Sequence, residues 1–262
     1  MDLEPDRREE NMARWGISGG VGAVAGPLLL AGFVAVGLGW RELFAAFAVV
    51  AGVLALTSAR SQTTVRPDAE RPSVRAAFSA VRRPLVVRWL VLLECADLLL
   101  DVLLGFVALY LVNEVGASAE LGGLAVAVWT GAALAGGFGI VALLRRVSGL
   151  RYLRASAAAS IVLYPAFLLV PGAGPKIVLL ALLGLATAGW YSIPKARLYE
   201  SLSGQSGAAL TLSSLAGVPR GLFPLAIGIV AERYGLDSAM WILLAGPVAL
   251  LVGVPGRAGQ SA

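Results

Sequence analysis

The chain reads as an all-α, polytopic membrane protein with eight transmembrane helices, and three observations carry that reading. Hydrophobic residues make up 58% and charged residues only 14% of its 262 positions, a balance that would leave a soluble domain with far too much wet apolar surface. Eight stretches are almost free of charge, and most reach the ~20 apolar residues that a helix needs to cross a ~30 Å hydrocarbon core. The basic residues, finally, alternate from side to side. Of the 21 lysines and arginines, only Arg41, Lys176 and Arg233 fall on one set of connections, Arg88 and Arg220 lie inside spans, and the rest crowd the other set. Positive charge is retained on the cytoplasmic side, so both termini are expected there, in the plasma membrane, with the lipid bilayer as the first partner.

The first span, 15–37, carries Ser18, Gly22 and Gly26 at four-residue spacing, then Pro27. The second, 43–58, follows after a short turn. Residues 59–84 form a long polar linker rich in arginine, with Pro67, Pro72 and Pro84. Within it Val74, Ala77, Phe78 and Val81 have the spacing of a short amphipathic helix at the headgroups; a solvated basic linker fits equally well. The third span, 85–112, holds Glu94, Asp97 and Asp101. At 100° per residue these acids fall within about 60° of one another, and the ~1.5 Å rise sets Asp97 and Asp101 near the midplane. Arg88, nearer the cytoplasmic end, reads as a snorkelling side chain.

The fourth span, 121–144, repeats small residues at Gly123, Ala127, Gly131, Ala135 and Gly139. Together with Gly22, Gly26 and Pro27 of the first span, Gly123, Gly131 and Gly139 read as a helix-packing motif that lets backbones approach closely. Trp129 lies off that ladder and faces either cavity or lipid. After the fifth span, 155–172, the sixth, 177–194, ends at Pro194, which should kink or stop the helix. Trp190 and Tyr191 just before it are candidate cavity lining, although an interfacial belt suits them equally. In the seventh span, 208–230, Arg220 sits near the midplane, and an acid of the third span is its natural partner. The eighth is 238–254. Trp15, Trp40, Tyr152 and Trp241, each near a span end, read as interface anchors.

Charges inside hydrocarbon cost ~2.5–3.5 kcal/mol each on insertion scales, so those retained face a cavity or a partner. The candidate substrate or proton pathway is therefore Glu94, Asp97, Asp101 and Arg220. Three acids against one guanidinium should raise the pKa of at least one carboxyl, which admits protons as a partner or an attraction for cationic substrates. The chain has no histidine, and Cys95 is its only cysteine, so a histidine relay, a zinc site and an internal disulfide are excluded, and neither metal nor cofactor is expected. Topology explains the basic residues, and no aromatic-basic patch accompanies them, so no nucleic-acid partner is expected. The polar first fourteen residues do not resemble a cleavable signal. No nucleophile motif marks an enzyme, and no phosphate-binding glycine loop marks a nucleotide-driven pump.

A weak repeat frames the chain: Pro27 precedes Gly39, which opens GWRELF, by twelve residues, and Pro224 precedes Gly235, which opens GLDSAM, by eleven. Matching hairpins at both ends are expected of transporters built from repeated units. These segments resemble the major facilitator superfamily. Gly22, Gly26 and Pro27 match its fifth-helix glycine-proline motif, GWRELF the start of its sixth helix, and GWYSIPKARLYESL at 189–202 the cytoplasmic end of its tenth. GIVAERYG at 228–235 resembles its glycine-acid-arginine-glycine signature, with Glu232 as the acid; RRVSGLR at 145–151 is a degraded relative without one. Leu30 and Ala31 replace the glycine pair that follows the fifth-helix motif, so the resemblance does not extend to antiport.

The resemblance implies a partial major facilitator fold. Residues 1–58 would be a two-helix remnant of the N-terminal half, helices five and six; 59–84 the basic cytoplasmic linker; and 85–262 the six-helix C-terminal half. Counterparts of helices one to four are missing, which an internal start at Met1 or a broken reading frame would explain. It further implies a secondary transporter moving a small-molecule substrate by alternating access, with the spans of Asp97 and of Arg220 bordering one cavity. The alternative, from another class, is a non-transporting membrane scaffold or an inactive transporter fragment.

Overall fold

The computed structural model describes residues 7–60, 80–202 and 206–255. Among them every regular element is helical, as expected of the eight apolar stretches. Helices α1 (Arg8–Ala35) and α2 (Trp40–Arg60) form a hairpin, and α10 (Leu222–Tyr234) and α11 (Leu236–Met240) form a second bend near the other end. The two turns use Gly37, at φ 80°, and Gly235, at φ 85°, a left-handed backbone that costs glycine little because it lacks a Cβ. The repeat in the sequence paired Gly39 with Gly235, but Gly39 serves differently: its N–H donates to Glu42 Oε2 at 2.7 Å, satisfying an orphan donor at the start of α2.

The third rod spans Pro84–Asn113. It begins as α3 (Pro84–Asp97), passes through one π-helical turn at Leu98–Val102 and ends as α4 (Leu103–Asn113). Pro84 occupies the first turn, where its missing N–H would have found no acceptor anyway. Next come α5 (Ala119–Leu143), capped by the Ser118 hydroxyl, which accepts from the Leu121 N–H, and α6 (Gly149–Leu169). A break at 188–191 separates α7 (Ala173–Thr187) from α8 (Ser192–Ser201), and α9 (Ser206–Arg220) leads into α10. After α11, a 3-10 turn at Trp241–Leu244 leads to α12 (Ala245–Gly253). The expected helix stop at Pro194 lies one turn late: the chain breaks before it, and Pro194 sits in the first turn of α8, where a missing donor is tolerated.

Among the described residues seven rods are long and apolar enough to cross a membrane, and the chain is accordingly an integral membrane protein. The expected first span, α1, is helical throughout and carries no charged residue from Trp15 to Ala35. The core runs from the third rod to α12, α1 lies against α5 and α8, and α2 buries only Leu43 among its described residues. Of the amphipathic helix expected in the linker over 74–81, residues 74–79 lie outside the described residues.

The expected helix-packing motif does not make the tight contacts. A Cβ added at Gly22, Gly26, Gly123, Gly131 or Gly139 would meet nothing within 4 Å, and the Pro27 side chain lies outside the described residues. Geometry explains the difference: four residues advance a helix by 400°, so a four-residue ladder drifts about 40° per step and winds off any single face. α1 and α5 do pack together, but through Gly20 against Leu134 and Gly137 against Ile17. A close approach joins α5 and α7, where a Cβ at Gly184 would lie 2.8 Å from the Trp129 carbonyl oxygen and one at Gly136 2.8 Å from Ala188 Cβ.

Candidate functional site

Two cavities lie where α1 crosses the bundle. The first, about 490 Å³, is bounded by Ser18 and Gly20 of α1, Asp101 in the π-helical turn, Trp129 and Thr130 of α5, and Thr187, Tyr191 and Ser192 around the α7–α8 break. The second, about 500 Å³, is lined by Met12, Trp15, Leu93, Glu94, Tyr191, Lys195, Tyr199 and the α9 hydroxyls of Ser213 and Ser214. Trp15 and Tyr191 border both and stack on each other, ring centroids 5.9 Å apart at 24°.

The three acids of the third rod have different surroundings. Glu94 lines the second cavity, Asp97 is buried at 3% exposure, and Asp101 opens onto the first cavity. The π-helical turn closes i to i+5, as the Leu103 N–H donating to the Leu98 carbonyl shows, and so Asp101 falls behind the α-helical spacing that Glu94 and Asp97 keep. The Arg220 side chain, expected to face these acids, lies outside the described residues. Trp129 turns inward, at 3% exposure, onto the first cavity.

Of the two aromatics at the break, Tyr191 lines both cavities, whereas Trp190 lines neither. Trp190 is fully buried in the core, and its indole N–H donates to Ser156 Oγ at 2.8 Å. Adjacent positions in a non-helical turn point opposite ways, and the larger ring went to the dry side, where a hydroxyl could satisfy it.

Sequence reasoning missed three features. Trp15, read as an interface anchor, covers the boundary between the cavities. Lys195, counted among the inner-connection charges, is buried beside Glu94's cavity with its Nζ 5.4 Å above the Tyr191 ring; the available signal was the apolar stretch of Ala173–Ser201, which runs past Pro194. Lys176, counted on an outer connection, is 3% exposed. Its ammonium donates to the carbonyls of Phe167 at 2.6 Å and Leu168 at 2.8 Å and to the Tyr110 hydroxyl at 3.1 Å, thereby capping the end of α6.

The start of α1 carries an ion-pair cluster. Glu10 accepts from Arg14 at 2.6 Å, Arg145 at 3.0 Å and Arg7 at 3.2 Å, while Glu9 pairs with Arg197 at 2.9 Å. Arg145, then Arg7 and Arg14, hold the Glu10 carboxyl below the ordinary glutamate range. This glutamate precedes the first apolar stretch, and the arginines assigned to the inner connections, Arg7, Arg14, Arg145 and Arg197, meet at this one end.

A bundle of membrane-length helices enclosing solvent-sized cavities with a carboxylate in the wall defines the class of helical membrane transport proteins. The family description "Major Facilitator Superfamily" matches residues 2–218. The chain belongs to the major facilitator superfamily. No curated protein and no solved structure matches it.

Proposed function

We propose that the chain works as part of a secondary transporter that moves a small molecule by alternating access, with protons as the coupling ion. The first cavity carries this reading: it places one carboxylate, Asp101, among aromatic rings and hydroxyls inside a membrane bundle, beside a π-helical turn and a broken helix. Helix breaks and π turns concentrate where a backbone must serve a ligand. Asp101 and Glu94 would carry the proton, Arg220 would pair with Asp97 or Asp101 in one access state, and Trp129 and Tyr191 would form cavity wall. Residues 1–58 would act as the remnant of the first half, 59–84 as a cytoplasmic linker and 85–262 as the second half, with both termini cytoplasmic in the plasma membrane.

The test is flux in proteoliposomes under an imposed proton gradient, over a panel of sugars, organic ions and drugs. Gradient-driven flux that Asp101→Asn abolishes is expected. A folded wild-type protein without flux that purifies with another membrane protein would instead favour a scaffold, and flux unchanged by Asp101→Asn would remove the carboxylate from the mechanism.

A further inference from the structure

We propose that the first cavity takes a small molecule whose apolar or aromatic body carries hydrogen-bond donors, O–H or N–H, rather than acceptors alone. The assignment rests on that cavity being the transporter's ligand site and names the class of ligand. Four aliphatic hydroxyls stand among its described lining residues, and each has already given its hydrogen to a carbonyl of its own segment. Thr130 donates to Val126 at 2.8 Å, Thr187 to Leu183 at 2.9 Å, Ser18 to Arg14 at 3.3 Å and Ser192 to Gly189 at 3.5 Å. A carbonyl has no hydrogen to offer, so the direction of these bonds is fixed, and each hydroxyl keeps only lone pairs for a guest. The start of α8 is spent in the same way. Of the four N–H positions that a helix start leaves without intrahelical acceptors, Ile193 and Lys195 donate to the Gly189 and Tyr191 carbonyls, each at 3.1 Å, and Pro194 has no N–H. The broken helix therefore lacks the cluster of donors that draws an anion to such an end. Asp101 aside, whatever it engages, the side-chain donors among the described lining residues reduce to the indoles of Trp15 and Trp129 and the phenol of Tyr191, whose ring faces suit an apolar body. A guest with acceptors alone would set lone pairs against lone pairs and lose its hydration without replacement, whereas a donor meets a ready acceptor. At about 490 Å³ the space has the size of ordinary small-molecule sites.

The experiment measures equilibrium binding of indole to the purified full chain in detergent, against its isosteres benzofuran, which only accepts, and indene, which does neither, with protein-free micelles as the blank. Being the most polar of the three, indole would rank last by apolar burial alone. It should instead bind roughly threefold to tenfold more tightly than either, the gain expected of one hydrogen bond to a buried acceptor. The combined Thr130→Val and Ser192→Ala variant should remove most of that preference while leaving indene within about twofold, and Thr130→Ser, which keeps an acceptor, should preserve it. Ser214→Ala, in the second cavity, should leave all three affinities within about twofold. Wild type binding the three probes equally, or favouring either donorless one, overturns the proposal, and that comparison needs no variant to fold. So does a preference untouched by the combined variant, or one lost as fully in Ser214→Ala. Selective indole binding without gradient-driven flux would leave this inference standing and remove the transport reading alone.

Discussion

Replacing Gly184 by alanine tests the α5–α7 contact that forms one wall of the first cavity. The new Cβ would lie 2.8 Å from the Trp129 carbonyl oxygen, 3.1 Å from Ala132 Cβ and 3.2 Å from the Ala133 nitrogen. To relax the first contact from 2.8 Å to the 3.4 Å of ordinary van der Waals packing, the helices must part by about 0.6 Å. Two of the three obstructing atoms are backbone, so no rotamer change relieves the crowding, and overpacking of this kind costs about 1–3 kcal/mol. The same change at Gly131 meets open space, where removing a helical glycine gains roughly 0.5–1 kcal/mol. The two variants should therefore move the midpoint of thermal unfolding in detergent in opposite directions, separated by several degrees. Gly184→Ala should also change the near-ultraviolet circular dichroism through Trp129. If Gly131→Ala proves as destabilising as Gly184→Ala, the four-residue ladder is the packing surface after all and the contact described here is wrong.

Three further outcomes are expected. The folded-state pKa of Glu10 is depressed, so its contribution is present at neutral pH and disappears as pH falls through the lowered value; the difference in thermal midpoint between wild type and Glu10→Gln should be flat around neutrality and shrink only in strongly acidic buffer, and a difference that changes between weakly acidic and neutral pH would contradict this. Lys176→Met strands the Phe167 and Leu168 carbonyls and should cost about 1–3 kcal/mol, with faster amide hydrogen exchange in the turn after α6 as its local sign. Ser156→Ala leaves the indole N–H of the fully buried Trp190 without its acceptor; a loss of about 1–3 kcal/mol should follow, whereas Ser156→Thr, which keeps a hydroxyl, should recover part of it.

What the sequence made legible was set by length and composition. Runs such as Pro84–Asn113 and Ala119–Leu143 are long, apolar and bounded by charge, and no other element satisfies a backbone so completely within one segment. The direction of individual side chains was far less accessible. Even spacing along 94–101 presumes an even helix, and the π-helical turn at Leu98–Val102 arises from packing that no local pattern in LLLDV announces. The glycine ladder was misleading for a related reason: spacing identifies small residues but not the neighbour they meet, and glycines that do touch another helix, among them Gly20, Gly136, Gly137 and Gly184, stand outside the four-residue series. Sequence counts Lys176 and Lys195 as surface charge by position alone, while burial depends on carbonyls and rings supplied from other segments.

The near-absence of burial along α2 has its own consequence. With Leu43 its one buried residue among those described, this rod owes its place to surrounding hydrocarbon and to the bend at Gly37 far more than to interlocking with the rest of the molecule. Exchanging one aliphatic side chain for another along its length should be nearly silent, whereas stripping lipid away should release this helix before any other, so the choice of solubilising agent decides whether a purified sample retains its native shape.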